Sequence, residues 1–132
     1  MRAIAIIVAV IGIFTLAMGI VFIFQAASAE KTIANELNSG LQPMVISDVE
    51  GAYNHASDQM VQMKAGVSSG QISMNDYLNV VNQRTSLGLT RSNLGLAQST
   101  RVTGIINVVI GVSLVLVSLA LLSARPRATA VA

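Results

Sequence analysis

The sequence predicts an all-α membrane protein, in which two transmembrane helices are joined by an extracytoplasmic antiparallel helical stalk and the second span is continuous with a long outer helix. Three observations point there. The chain of 132 residues is 53% hydrophobic and only 11% charged, with a mean hydropathy of +0.67, which is far from the composition of a soluble domain. The apolar residues are segregated: Ala3 to Phe24 and Val102 to Leu122 contain no charged side chain, and at about 1.5 Å per residue each run spans roughly 30 Å, the thickness of a bilayer's hydrocarbon core. Between the two runs, residues 25–101 carry every charged side chain except Arg2, Arg125 and Arg127, with apolar residues at the spacings of amphipathic helices.

Residues 1–2 form a short cytoplasmic end and 3–24 the first transmembrane helix. Within that helix Ala5, Ala9, Gly12, Thr15 and Gly19 recur at spacings of three or four, giving one face of small side chains that lets another backbone approach. Arg2, an apolar run and Ala27-Ser28-Ala29 also have the layout of a cleavable signal peptide. The apolar core exceeds the usual 7–15 residues of such a signal, so an uncleaved anchor is expected. Short positive flanks stay in the cytoplasm; Arg2 at one end and Arg125 with Arg127 at the other therefore place both termini inside and residues 25–101 outside.

The outer segment divides into helices of about 25–38, 47–65 and 74–101. Ala26, Ala29, Ile33 and Leu37 continue a helical stripe past the first span, which Asn38-Ser39-Gly40 ends and Pro43 keeps from resuming. Ser47 with Glu50 three residues on reads as a capping box opening the next helix. Along it Ile46, Val49, Tyr53, Ala56, Met60 and Met63 alternate spacings of three and four, a coiled-coil-like seam. Residues 66–73, beginning Gly-Val-Ser-Ser-Gly, read as a turn. Ser73 then caps the third helix, and Ile72 is placed to staple onto Tyr77. An antiparallel return at this turn puts Lys64 level with Asp76 and Asp48 level with Arg91.

No proline interrupts the chain from Met74 to Leu122, so the outer helix runs directly into the second span, 102–122, with 123–132 as a cytoplasmic tail. Gly88, Ser92, Gly95, Ser99, Thr103, Asn107 and Gly111 follow one another at three or four residues on this helix. Together with Gly12 and Gly19 they are the candidate helix-packing residues. A glycine inside a helix costs about 1 kcal/mol relative to alanine, which a close helix contact would offset.

Residues that could carry chemistry are sparse. There is no cysteine, which excludes disulfides, thiolate metal sites and cysteine nucleophiles. His55 is the single histidine and has at most one carboxylate near it on its helix, too few ligands for zinc. Met60, Met63 and Met74 could suit a soft metal, but two of them sit on the seam, where methionine commonly fills gaps. No carboxylate pair, nucleophile with a base, or phosphate-binding glycine loop is visible. No cofactor and no enzymatic activity are expected, and without clustered Lys and Arg no nucleic-acid partner is expected.

In outline, the order of span, outer helical segment and span is similar to the sensor halves of bacterial transmembrane receptors, a likeness of topology that ends at Leu122. The expected role is structural or interactive: a small integral membrane protein with lipid around it, assembling by helix packing with itself as a homo-oligomer or with another membrane protein as an accessory subunit. Two alternatives stand beside it. One is a ligand- or stress-sensing outer segment that signals through a separate partner. The other is a small oligomeric pore lined by Thr103 and Asn107.

Overall fold

A computed structural model describes residues 2–39 and 43–124. Among these residues all regular structure is helical: α1 is Arg2–Ser39, a single 3-10 turn covers Ile46–Asp48, α2 is Val49–Ser68 and α3 is Met74–Ser123. Gly40, expected to end the first helix, and the basic residues Arg125 and Arg127 lie outside the described residues. Two of the helices, α1 and α3, are long and apolar enough to cross a membrane. The chain divides into two compact units, an apolar one in which α1 up to Ala26 packs with α3 from Ser99 onward, and a polar one, Ala27–Gln98.

In the apolar unit, α1 and α3 touch backbone to backbone. A Cβ built on Gly19 would lie 2.7 Å from the Gly104 carbonyl oxygen, and one on Gly111 would lie 2.7 Å from that of Gly12. No side chain fits at these heights, so glycine is required there by proximity. The buried positions recur every seventh residue, as Ala5, Gly12, Gly19 and Ala26 on α1 and as Gly104, Gly111 and Ser118 on α3. Seven residues are close to two helical turns, so a contact repeated at that interval stays on one side of each helix. Most of the other large apolar side chains are exposed, Phe14 to 67%. In water each such Phe or Ile would forgo roughly 1.5–3 kcal/mol of burial.

The polar unit has a small core. Ile33 of α1, Val49 of α2 and Leu94 of α3 are buried against one another, with Leu37, Met44 and Ile46 packed around them. The Met44 N–H donates to the Leu37 carbonyl at 3.3 Å, tying the start of the second arm to the end of α1. Along α2, Val49 and Ala56 are buried and Ile46, Tyr53, Met60 and Met63 half-buried, so the three-four series lies on the inward side.

The connections follow local chemistry, with one departure from expectation. Past the end of α2 lies Gly70, whose φ of +72° is the left-handed conformation glycine adopts readily. The Gln71 N–H bonds the Gly66 carbonyl at 2.9 Å and the Gly70 N–H bonds that of Val67 at 3.1 Å, the paired bonds of a Schellman motif. Ser73 caps α3, its Oγ accepting from the Asn75 N–H at 3.2 Å. Ile72, expected to staple onto Tyr77, lies over Gly66, where a Cβ would come 2.5 Å from its Cδ1. The capping box of Ser47 and Glu50 does not form. Because Ile46–Asp48 winds as a 3-10 turn, the N-cap of α2 falls on Asp48. Ser47 Oγ instead donates to Asp48 Oδ1 at 3.0 Å, and Glu50 pairs with Arg91.

Candidate functional site

A polar side-chain cluster lies where α2 faces α3 in the polar unit. Arg84 of α3 donates from Nη2 to Tyr53 Oη and from Nε to Ser57 Oγ, both at 2.9 Å. Ser57 Oγ in turn donates to the Tyr53 carbonyl one helical turn back, also at 2.9 Å. The Arg84 and Arg91 guanidinium carbons lie 5.2 and 5.3 Å from the centroid of the Tyr53 ring, within the range of cation–π attraction. Gly88 makes room for that ring, since a Cβ there would be 3.2 Å from Tyr53 Cε2.

Two turns beyond Arg84 on α3, Arg91 forms an ion pair with Glu50. Glu50 lies two residues beyond Asp48, the residue that the sequence puts level with Arg91. Among the described residues no ion pair joins Lys64 to Asp76.

Beside the Glu50–Arg91 pair a groove of about 280 Å³ opens, lined by Ile46, Val49, Glu50, Arg91, Leu94, Gly95 and Gln98. Both sides mix apolar and polar groups: Ile46, Val49 and the Glu50 carboxylate come from the start of α2, and Leu94, the Arg91 guanidinium and the Gln98 amide from α3. Gly95 leaves the floor open, since nothing lies within 4 Å of where its Cβ would be. Both charged side chains are about half exposed, so their pairing contributes only about 0–1 kcal/mol. A ligand carrying a competing charge could separate them at little cost.

The candidate packing residues fall into three different surroundings. Gly12, Gly19 and Gly111 lie at the α1–α3 backbone contact, Gly88 lies under Tyr53, and Gly95 floors the groove. Ser92, Ser99 and Thr103 are exposed, and Asn107 is half-buried. Gly104, which completes the contact with Gly19, was missed by the three-four stripe. Its signal is the interval of seven to Gly111, the same interval that separates Gly12 from Gly19. Arg84 was missed as well, because its partners belong to another helix.

Among the described residues no group of three or more His, Cys, Asp and Glu could hold a metal ion. His55 and Met74 are exposed, and Met60 and Met63 are half-buried on the α2 seam. Ser118 is 1% exposed, and its Oγ has no hydrogen-bond partner. Comparison with protein-family models, with curated proteins and with solved structures finds no match for this chain.

Proposed function

We propose that this chain is a two-span integral membrane protein that displays its polar helical segment, residues 25–101, as an antiparallel stalk outside the cytoplasm and works as a structural or interaction component assembled by helix packing. The observation that carries the reading is burial. Only 11% of the apolar stretch in each of α1 and α3 is buried within the chain, whereas the core helix of a soluble protein is mostly buried. Such surfaces call for lipid or another apolar helix. The Gly12–Gly111 and Gly19–Gly104 contacts supply close helix packing of the kind that holds spans together where no hydrophobic driving force separates helix from lipid. Orientation rests on the basic flanks, with both termini in the cytoplasm.

Because the chain contains no native cysteine, the topology can be tested with single cysteines and a membrane-impermeant maleimide on intact cells. Ser69→Cys, in the α2–α3 turn, is expected to label from outside, and Ala124→Cys only after permeabilisation. Labelling of Ala124→Cys on intact cells, or loss of the protein from the membrane fraction on carbonate washing, would overturn the reading.

The groove favours a second reading, in which the outer segment senses a small molecule and passes the signal to a partner. Its volume is close to the lower limit of typical ligand sites, about 300 Å³, and its polar groups converge from both helices. Saturation-transfer NMR with a library of small charged compounds is the test. Hits lost on changing Glu50→Gln and Gln98→Leu together would favour sensing, and hits indifferent to both changes would remove it.

A further inference from the structure

The groove beside the Glu50–Arg91 pair lies wholly within the polar unit, and its charges balance: one carboxylate from Glu50, one guanidinium from Arg91 and the neutral amide of Gln98. That balance selects among ligands. An anion that displaced Glu50 from Arg91 would lie beside the carboxylate it had left unpaired, and a cation on Glu50 would lie beside an unpaired guanidinium, where like charges repel. An uncharged ligand leaves the pair intact and gains only the apolar side chains. A zwitterion with both charges attached to one carbon gives each side chain a new partner as the old contact opens.

Three features ready the groove for that exchange. The pair is half exposed on both sides, so it parts readily. Arg91 keeps its place without Glu50, because its guanidinium carbon lies 5.3 Å from the centroid of the Tyr53 ring, and that ring is anchored by the bond from Arg84 to Tyr53 Oη. Gly95 keeps the floor clear: nothing lies within 4 Å of its Cβ position, so no helix contact offsets the unfavourable place of glycine in a helix interior. Gly51 of α2 is equally open, but only Gly95 lines the groove.

We infer that the groove takes a small zwitterion with an apolar chain, its carboxylate on the Arg91 guanidinium and its ammonium on the Glu50 carboxylate. The inference rests on the sensing reading above and names the class of molecule sensed. The guanidinium fork matches a carboxylate in two parallel hydrogen bonds, and the Gln98 amide offers a further donor. The carbon chain lies over Gly95 against Ile46 and Leu94. At about 280 Å³ the groove falls just below the size at which typical ligand sites begin, about 300 Å³, so the ligand is small.

Compounds built on one carbon skeleton separate the charges: leucine carries both, isocaproic acid the carboxylate alone, isoamylamine the ammonium alone and isocaproamide neither. Each is titrated by saturation-transfer NMR against the full chain in nanodiscs, with empty nanodiscs as the blank. Leucine is expected to bind about fivefold or more tightly than the others, since each of them lacks a charged contact. Equal or tighter binding of the acid, the amine or the amide would overturn the zwitterion and leave the groove as a sensing site. If none of the compounds binds, the inference falls, and the sensing reading then stands or falls by the charged library. Glu50→Gln is expected to weaken leucine about fivefold and to leave isocaproic acid no weaker, because the acid has no ammonium to lose and escapes a repelling carboxylate. Equal weakening of both would overturn the role given to Glu50. Gly95→Leu fills the open floor with a good helix former and is expected to abolish leucine binding with helix content unchanged by circular dichroism. Leucine binding that survives this change would overturn the site.

Discussion

Gly19→Ala and Gly51→Ala make the same chemical change on two helices and are expected to act with opposite signs. At Gly19 a Cβ would sit 2.7 Å from both the Gly104 carbonyl oxygen and the Val108 nitrogen, and 2.9 Å from Val108 Cγ2. Two of these neighbours are backbone atoms, which cannot swing aside as the end of a flexible side chain could. Non-bonded carbon contacts settle near 3.5–4.0 Å, so α1 and α3 must part locally by about 1 Å and loosen their contacts at that height. Overpacking of this kind costs about 1–3 kcal/mol, against about 0.5–1 kcal/mol regained by removing glycine from a helix interior. The net expectation is a loss of about 0.5–2 kcal/mol. Gly51 has nothing within 4 Å of its Cβ position, so only the propensity gain remains, about 0.5–1 kcal/mol of added stability. Gly104→Ala presses on the same contact from the other helix, its Cβ falling 2.8 Å from the Gly19 carbonyl oxygen. Once one methyl has parted the helices the second finds room, so the double variant should lose less than the sum of the two singles. Unfolding in nanodiscs followed by far-UV circular dichroism measures all four proteins. The reasoning fails if Gly19→Ala is as stable as Gly51→Ala, or if the Gly19 and Gly104 effects simply add.

Five further changes probe the other contacts. Tyr53→Phe removes the oxygen that accepts from Arg84 but keeps the ring under both guanidiniums, and is expected to cost about 0.5–1.5 kcal/mol in thermal unfolding; Arg84→Met, which also removes the donor to Ser57 Oγ, should cost more. Glu50→Gln breaks a half-exposed ion pair, so its effect should stay within about 1 kcal/mol and shrink further at high salt. Gly70→Ala should cost about 1–2 kcal/mol in the same assay through its positive φ alone, since no atom stands within 4 Å of the new methyl. Ser118→Ala removes a buried hydroxyl that has no partner and is expected to leave stability unchanged or raise it by about 1 kcal/mol in the nanodisc assay.

The helical class and the two long apolar helices are legible in the sequence because they depend on local properties. Uncharged runs of sufficient length and a helix cap such as Ser73 report on their own few residues. The failed capping box shows the limit. Ser47 and Glu50 have the right residue types at the right interval, but the 3-10 turn at Ile46–Asp48 moves the helix start, and Arg91 of α3 offers Glu50 a charged partner. Neither influence is encoded within the four residues of the motif. The groove is less legible still, since its walls come from helices far apart in the chain. Its open floor depends on Gly95 facing outward, although a helix-interior glycine reads most naturally as a site of close contact.

The same comparison explains why a small-residue stripe on α3 had to be divided. Following Gly95 by threes and fours leads through Ser99 and Thr103, which are exposed, whereas the backbone contact with α1 uses Gly104 and Gly111. Two faces of one helix are superimposed in that run, one stepping by seven and committed to α1, the other stepping by three and four and left open. Only their glycines and serines look alike. The polar unit gives the open face its weight. Its fully buried apolar residues are few, chiefly Ile33, Val49, Ala56, Leu87, Leu94 and Ala97, and a segment of this size with so small a core is marginal by itself. Covering Leu89 and Leu96 would bury two large side chains, each contributing about 1.5–3 kcal/mol at full burial.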